Sequence, residues 1–431
     1  MTSDQQQLHL QLNDMALPRA VAKDAPLPDF WSRLEQDPKQ WGSTSSQAQP
    51  ANREQLRQLC RYRFDIWACG YNWLQSNLES GKDLHAYIQK VLNIYNPEGC
   101  SKPLAKKVII VTHSMGGLVL RGLLQIPGAA DNILGVVHGV QPAAGAPAVY
   151  KRMRAGFEGV EQVIFGRDAA EAVPVIANSP ALLEMLPFAN YNQGQPWLKV
   201  GLSADKPVIE WPSKADGKPA NPYKDIYASE AWYGLIPDRN NGLIDPAGIV
   251  AKRIGPGKSV RKSFTDAIDD VEEFHTAITQ PSKAYHPQTW AHGAIGSADK
   301  RLTWGEVHWR SDVIQGLDLS KAALLKDDGN DRIELSAGIK LQIAKPAQSG
   351  DGTVPSWSLA APAQAMGVQD LHLHGDGSVP GHAGLNQRRV DSPDAKARQP
   401  GYDHQNSYKD ERALWATFHA IVQISQKADW A

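Results

Sequence analysis

Residues 106–117, KKVIIVTHSMGG, decide how this chain is read. Four consecutive β-branched apolar residues, Val108, Ile109, Ile110 and Val111, predict a strand buried on both faces. Thr-His-Ser-Met-Gly-Gly ends that strand, and a helix-compatible apolar run from Leu118 to Leu124 follows. Strand, tight turn and helix in that order place Ser114 at the sharpest point of the turn. The serine backbone is then strained and its hydroxyl projects from the sheet edge, as a nucleophile must. Residues two before and two after the serine have to be small, because their backbones pass close together. Gly116 meets that demand, Gly117 allows close helix packing, and Thr112 stands where a glycine is more usual. The alternative is an ordinary βα turn that carries a serine; the flanking pattern weighs against it.

Composition narrows the classes that remain. The 431 residues suffice for one elaborated catalytic domain or two domains. A net charge of −1, with no Lys/Arg cluster, argues against nucleic acid as a partner. Cys60, Cys69 and Cys100 lack metal-ligand spacing, and an odd number is a poor disulfide framework. Cytoplasmic synthesis without structural disulfides is the simplest reading, with a Cys60–Cys100 or Cys69–Cys100 bridge left open. Residues 1–30 have no apolar core, so no classical signal peptide is expected. No run of about 18 apolar residues occurs, so nothing is expected to span a membrane. If the protein acts outside the cell, it leaves by a non-classical route.

Of thirteen tryptophans, Trp197, Trp211, Trp232, Trp290, Trp304 and Trp309 fall between residues 190 and 310. Tryptophan anchors at lipid–water interfaces, although it fills cores more often.

Four segments are expected along the chain. Residues 1–55 form a polar, loose N-terminal arm with one short helix near Phe30 to Leu34. Residues 56–150 form the first part of a core: a strand and loop over Arg61 to Trp73, a helix over Gln75 to Val91, the serine turn, and a strand over Ile133 to Val140. Residues 151–300 lose the βα rhythm and read as a large inserted cap or lid. Residues 301–431 form the second part of the core. Alternating runs such as RIELSAGIKLQIA (332–344) are expected to supply strands of the returning sheet, 368–374 the last strand, and Leu414 to Ile424 a terminal helix. The fold class is α/β, with a doubly wound, mostly parallel sheet.

A serine hydroxyl needs a histidine base, itself oriented by a carboxylate. In the α/β-hydrolase fold the order is Ser, then Asp or Glu, then His. Asp351, in Gly-Asp-Gly-Thr-Val-Pro (350–355), is the preferred acid, set between glycines that permit unusual turns. Asp376, in Gly-Asp-Gly-Ser-Val-Pro (375–380), is its competitor, and a plain Asp-Gly turn is the other use of either stretch. His404, in a polar loop before the terminal helix, is the preferred base; His382 is the rival, followed by His372 and His374. His113 is expected to pack beside the turn. An oxyanion hole requires two backbone N–H groups, and Met115 supplies one. No His-Gly or Pro-Gly signature for the second occurs before residue 60. Either the arm donates without one, or the natural N-terminus is incomplete here.

THSMGG, GDGTVP, the late histidine and FDIWACGYNW (64–73) together resemble the lecithin:cholesterol acyltransferase-like branch of α/β-hydrolases. SPALLEMLPFANYNQGQPW (179–197) resembles the leucine–proline stretch that precedes an aromatic lid in that branch. The resemblance implies Ser114 as nucleophile, Asp351 as acid, His404 as base, and lipid esters as substrates. VVHGVQPAAGAPAVYKRMRAGFEG (136–159), without a signal peptide, is similar to lipase effectors of type VI secretion systems. That likeness implies an immunity or delivery protein as partner and transient contact with a membrane surface. The expected activity is ester hydrolysis of lipids or phospholipids through an acyl-enzyme, with no metal or organic cofactor. An acyltransferase or an amidase with the same triad, and an inactive binding protein on the same fold, are the alternatives.

Overall fold

The β-rich runs build two principal sheets in the computed structural model, which describes residues 9–11, 29–59, 64–204, 206–213, 220–311, 319–390 and 396–428. A short antiparallel pair, β1 (His9–Gln11) and β2 (Asp65–Trp67), stands apart from them. The parallel sheet contains β3 (Val108–His113), β4 (Ile133–Gly139), β7 (Thr289–Ala294) and β12 (Val368–His374). All four are parallel, in the order β12-β7-β4-β3.

Period-two alternation splits the apolar residues of these strands between two helical layers. Val108, Ile110 and Ile133 pack with Ile88 and Leu92 of α1 (Asn77–Tyr95) and Leu120 and Leu123 of α2 (Gly116–Leu123). Ile109, Val137 and Trp290 face Ala420 and Ile424 of α3 (Glu411–Ser425) instead. The doubly wound α/β-hydrolase core is therefore present. One detail of the expected elbow strand is corrected: β3 is half-buried, and Val111 is 53% exposed. Among the described residues β3 is an edge strand, paired on one side only by β4.

The second sheet revises the expected arrangement more deeply. β5 (Leu198–Ser203) and β6 (Lys206–Trp211) join β8 (Val307–Arg310), β9 (Leu324–Asp327), β10 (Arg332–Leu335) and β11 (Ile339–Ile343) in the order β6-β5-β8-β11-β10-β9. Residues 302–346 thus do not return to the parallel sheet. β7, inside the stretch assigned to the insertion, is a central strand of that sheet. Alternation along RIELSAGIKLQI announces strands, but not which distant strands they pair with. Trp197, Trp211, Trp232 and Trp309 are buried and share one hydrophobic cluster with Ala291, Leu371 and Leu373 of the parallel sheet. Trp290 is buried too, and Trp304 half-buried. The tryptophan-rich stretch is core, not a lipid-facing surface.

The expected loose arm is also corrected from residue 29 onward. A short helix, Asp29–Arg33, stands where expected. Trp31, Leu34, Trp41, Leu56 and Leu59 are then buried with Trp415 and Val422 of α3, and Trp41 stacks on Trp415 at 5.1 Å. Thr44 N–H donates to Leu371 O, and Leu373 N–H to Gly42 O. This segment covers the outer edge of β12, which would otherwise offer a free hydrogen-bonding edge. Cys69 and Cys100 are free thiols, so no Cys69–Cys100 bridge forms; Cys60 lies outside the described residues.

Several histidines are enclosed by this packing. Burial holds His138, His275, His292 and His372 down to about 3 and His419 to about 4, and holds His374 well below its ordinary value. Their folded values lie below the ordinary 6.5, so the stability they contribute is complete above about pH 6.5. It is lost as pH falls from there towards 3, at about 1.4 kcal/mol per group per unit. Asp370, which burial raises to about 6, opposes this as a single group. The melting temperature is expected to fall by on the order of 10 °C between pH 7 and pH 5. A flat thermal profile over that interval would show that these imidazoles are not neutral and enclosed.

Candidate active site

Ser114 has φ +54°, a left-handed conformation that costs a non-glycine residue energy and persists where surroundings enforce it. Here Ser114 N–H donates to Gly139 O at the end of β4, and Ser114 O accepts from Gly117 N–H in the first turn of α2. The backbone is clamped on both sides, and the half-buried side chain stands at the strand-to-helix corner.

The glycine requirement sits one residue later than expected. A Cβ on Gly116 would meet Thr112 Cβ at 3.7 Å, an ordinary contact, which explains how threonine is accommodated at position 112. A Cβ on Gly117 would lie 2.6 Å from the Gln141 side chain. Gly117→Ala is therefore expected to lower the melting temperature by several degrees, through about 1–3 kcal/mol of overpacking. Gly116→Ala should leave it unchanged or slightly higher, since alanine suits a helix better than glycine. Differential scanning fluorimetry on both variants decides; equal losses would contradict the geometry.

The structure brings together Ser114, Asp351 and His404. His404 Nε2 lies 2.8 Å from Ser114 Oγ, and His404 Nδ1 lies 2.7 Å from Asp351 Oδ2. Asp351 and His404 are both buried. Asp351 Oδ1 accepts from the Thr353 and Val354 N–H groups, so each carboxylate oxygen has its own task. His404 N–H donates to Asp351 O, which fixes the histidine loop to the aspartate loop at main-chain level. Because Asp351 Oδ2 accepts from Nδ1, the neutral imidazole carries its proton there and presents an Nε2 lone pair to Ser114.

The other candidates lie elsewhere. Asp376 is exposed and accepts from Ser297 N–H and Oγ, tying together the loops that follow β7 and β12. His382 reaches Gln193. His372 is fully buried on β12, and His374 bonds Tyr402 Oη and Trp41 O. A Gly-Asp-Gly turn and a nearby histidine occur in each case, but not within reach of the serine.

Two features escaped the sequence reading. The loop after β2 lies against the serine turn: Tyr71 packs with Met115, and its hydroxyl is 4.0 Å from where a Gly116 Cβ would stand. Cys69-Gly70 in FDIWACGYNW marked that loop in the sequence, although it is neither His-Gly nor Pro-Gly and lies after residue 60. Val140 has φ +46°, an outlier for a β-branched residue. It delivers Gln141 to α2 with a buried carboxamide that has no hydrogen-bond partner among the described residues.

Comparison with known proteins agrees with this architecture. A model of the PGAP1-like alpha/beta domain family matches residues 36–172, the stretch that holds the serine turn. The chain is similar to a solved structure described as the crystal structure of the Tle4-Tli4 complex. That similarity covers 97% of this chain and 80% of the other, at 35% sequence identity and a TM-score of 0.79. No curated protein matches the chain.

Proposed function

We propose a serine-dependent lipid ester hydrolase on one premise: the chain belongs to the Tle4 family of α/β-hydrolase lipase effectors. The observation that carries the finer reading is the continuous chain from Ser114 Oγ through His404 to Asp351, at 2.8 and 2.7 Å. Ser114 Oγ attacks the ester carbonyl while His404 Nε2 takes its proton, and Asp351 stabilises the resulting imidazolium. The Met115 N–H, at the start of α2 where helix donors are unpaired, faces the developing oxyanion. The second donor on this reading comes from the main chain of the loop after β2, near Gly70 and Tyr71. His404 returns the proton to the departing alcohol, leaving an acyl-serine. A water molecule deprotonated by His404 then releases the fatty acid.

Bilayer phospholipids are the proposed substrates. Tle4 is described in complex with Tli4, and a protein partner of that kind, together with delivery by a type VI route, belongs to the same proposal. Among the described residues no helix is long and apolar enough to cross a membrane. The test is fatty-acid release from mixed phospholipid vesicles, with the lysolipid identifying the bond cut and an added long-chain alcohol reporting acyl transfer. Release of free acid without transferred ester supports hydrolysis; absence of both products overturns the reading.

A further inference from the structure

His113, next to the serine in the turn, is more than packing. Its Nε2 lies 3.0 Å from the main-chain oxygen of His404 and 3.1 Å from Ser407 Oγ. A carbonyl oxygen only accepts, so the His113 Nε2 carries a proton and donates. The Ser407 N–H approaches the same carbonyl at a longer 3.4 Å. His404 is thus held at its amide by Asp351 O and at its carbonyl by His113, and His113 shares the end of β3 with the serine. One strand end sets both the serine and the loop that carries its base.

The two imidazole centroids are 5.2 Å apart. Protonation of His113 would keep the Nε2–H bond but add a positive charge beside the ring that becomes an imidazolium during turnover. Like charges at that separation oppose one another. The groups that face His113 are His404, Asp351 and Ser407 from the loops and His292 from β7. One face of the His113 ring is exposed, but desolvation where it packs on the histidine loop and the His404 charge both lower its value from the ordinary one.

We propose that His113 is a positioning residue for the catalytic base, holding the His404 carbonyl through Nε2–H, and that it has to stay neutral for turnover. This rests on the triad reading above. The experiment is steady-state hydrolysis of a soluble short-chain ester from pH 5 to 9 by wild type, His113→Leu and His113→Gln, with Ser114→Ala as blank. His113→Leu removes the donor and is expected to lower kcat by about 10–100-fold with KM within about twofold, as sub-ångström misplacement of a base does. His113→Gln can place an amide N–H near the same point without a titratable charge. It is expected to recover kcat to within about fivefold of wild type, with a shallower acid limb.

Wild-type turnover by His113→Leu overturns the proposal. So does an equal loss in both variants with an unchanged acid limb, which would mean that only ring packing matters. If His113→Leu does not fold, His113→Gln alone decides through its acid limb. Wild type no faster than Ser114→Ala removes the triad reading itself, an outcome distinct from failure of the positioning role.

Discussion

Ser114→Ala is expected to reduce kcat/KM for ester hydrolysis by at least about 10⁴-fold, to the background of the vesicle assay. The expectation follows from the arrangement around the hydroxyl. On the proposed reading Ser114 Oγ is the attacking atom, and His404 Nε2 lies 2.8 Å from it. Alanine keeps the φ of +54° and loses one half-buried hydroxyl, so the fold should melt within a few degrees of wild type. Activity and stability therefore separate in this variant. Retention of more than about 1% of wild-type activity, with contaminating enzyme excluded, would remove Ser114 from the nucleophile's role.

Asp351→Asn should be nearly as damaging, at about 10³–10⁴-fold in kcat. The reason is specific to this loop. The Thr353 and Val354 N–H groups both donate to Oδ1, so the asparagine carbonyl oxygen will occupy that position. Its NH₂ group is then turned towards His404 Nδ1 and selects the tautomer protonated on Nε2, which cannot accept the serine proton. Asp376→Asn is the matched control. That carboxylate is exposed and serves Ser297, so activity should stay within about twofold of wild type. A loss at Asp376 equal to that at Asp351 would show that the two loops have been assigned the wrong roles.

These two carboxylates mark where reading the sequence stops. Gly-Asp-Gly-Thr-Val-Pro and Gly-Asp-Gly-Ser-Val-Pro specify the same local turn, and a turn motif contains nothing about which loop reaches a serine more than two hundred residues away. Chain order favours the first, since the second follows the last strand, where the histidine loop belongs, and the structure sets Asp351 beside His404. The histidines pose the same problem. His372 and His374 lie on a strand, a placement the pattern VQDLHLH made legible, whereas the choice of His404 over His382 depended on the position of the last loop. The usual signature of the second oxyanion donor lies early in the chain, and none occurs before residue 60. The loop that packs on Met115 comes after β2 and carries Cys-Gly instead.

The sequence by itself determined the elements whose cause is local. β-Branched residues before THSMGG, a glycine where α2 meets Gln141, and apolar spacing along α1 and α3 specify a strand, a sharp corner and two helices wherever they occur. Only the tertiary structure decided what depends on pairing over distance. It joined β5 and β6 to β8–β11 in a second sheet and inserted β7 between β4 and β12. It laid residues 31–59 on α3, and it set His404 beside the Ser114 hydroxyl with Asp351 and His113 bonded to its ring and its carbonyl. The physical reason is that backbone hydrogen bonds and apolar contacts between distant segments are chosen by competition among all available partners. No single stretch of sequence carries the outcome of that competition.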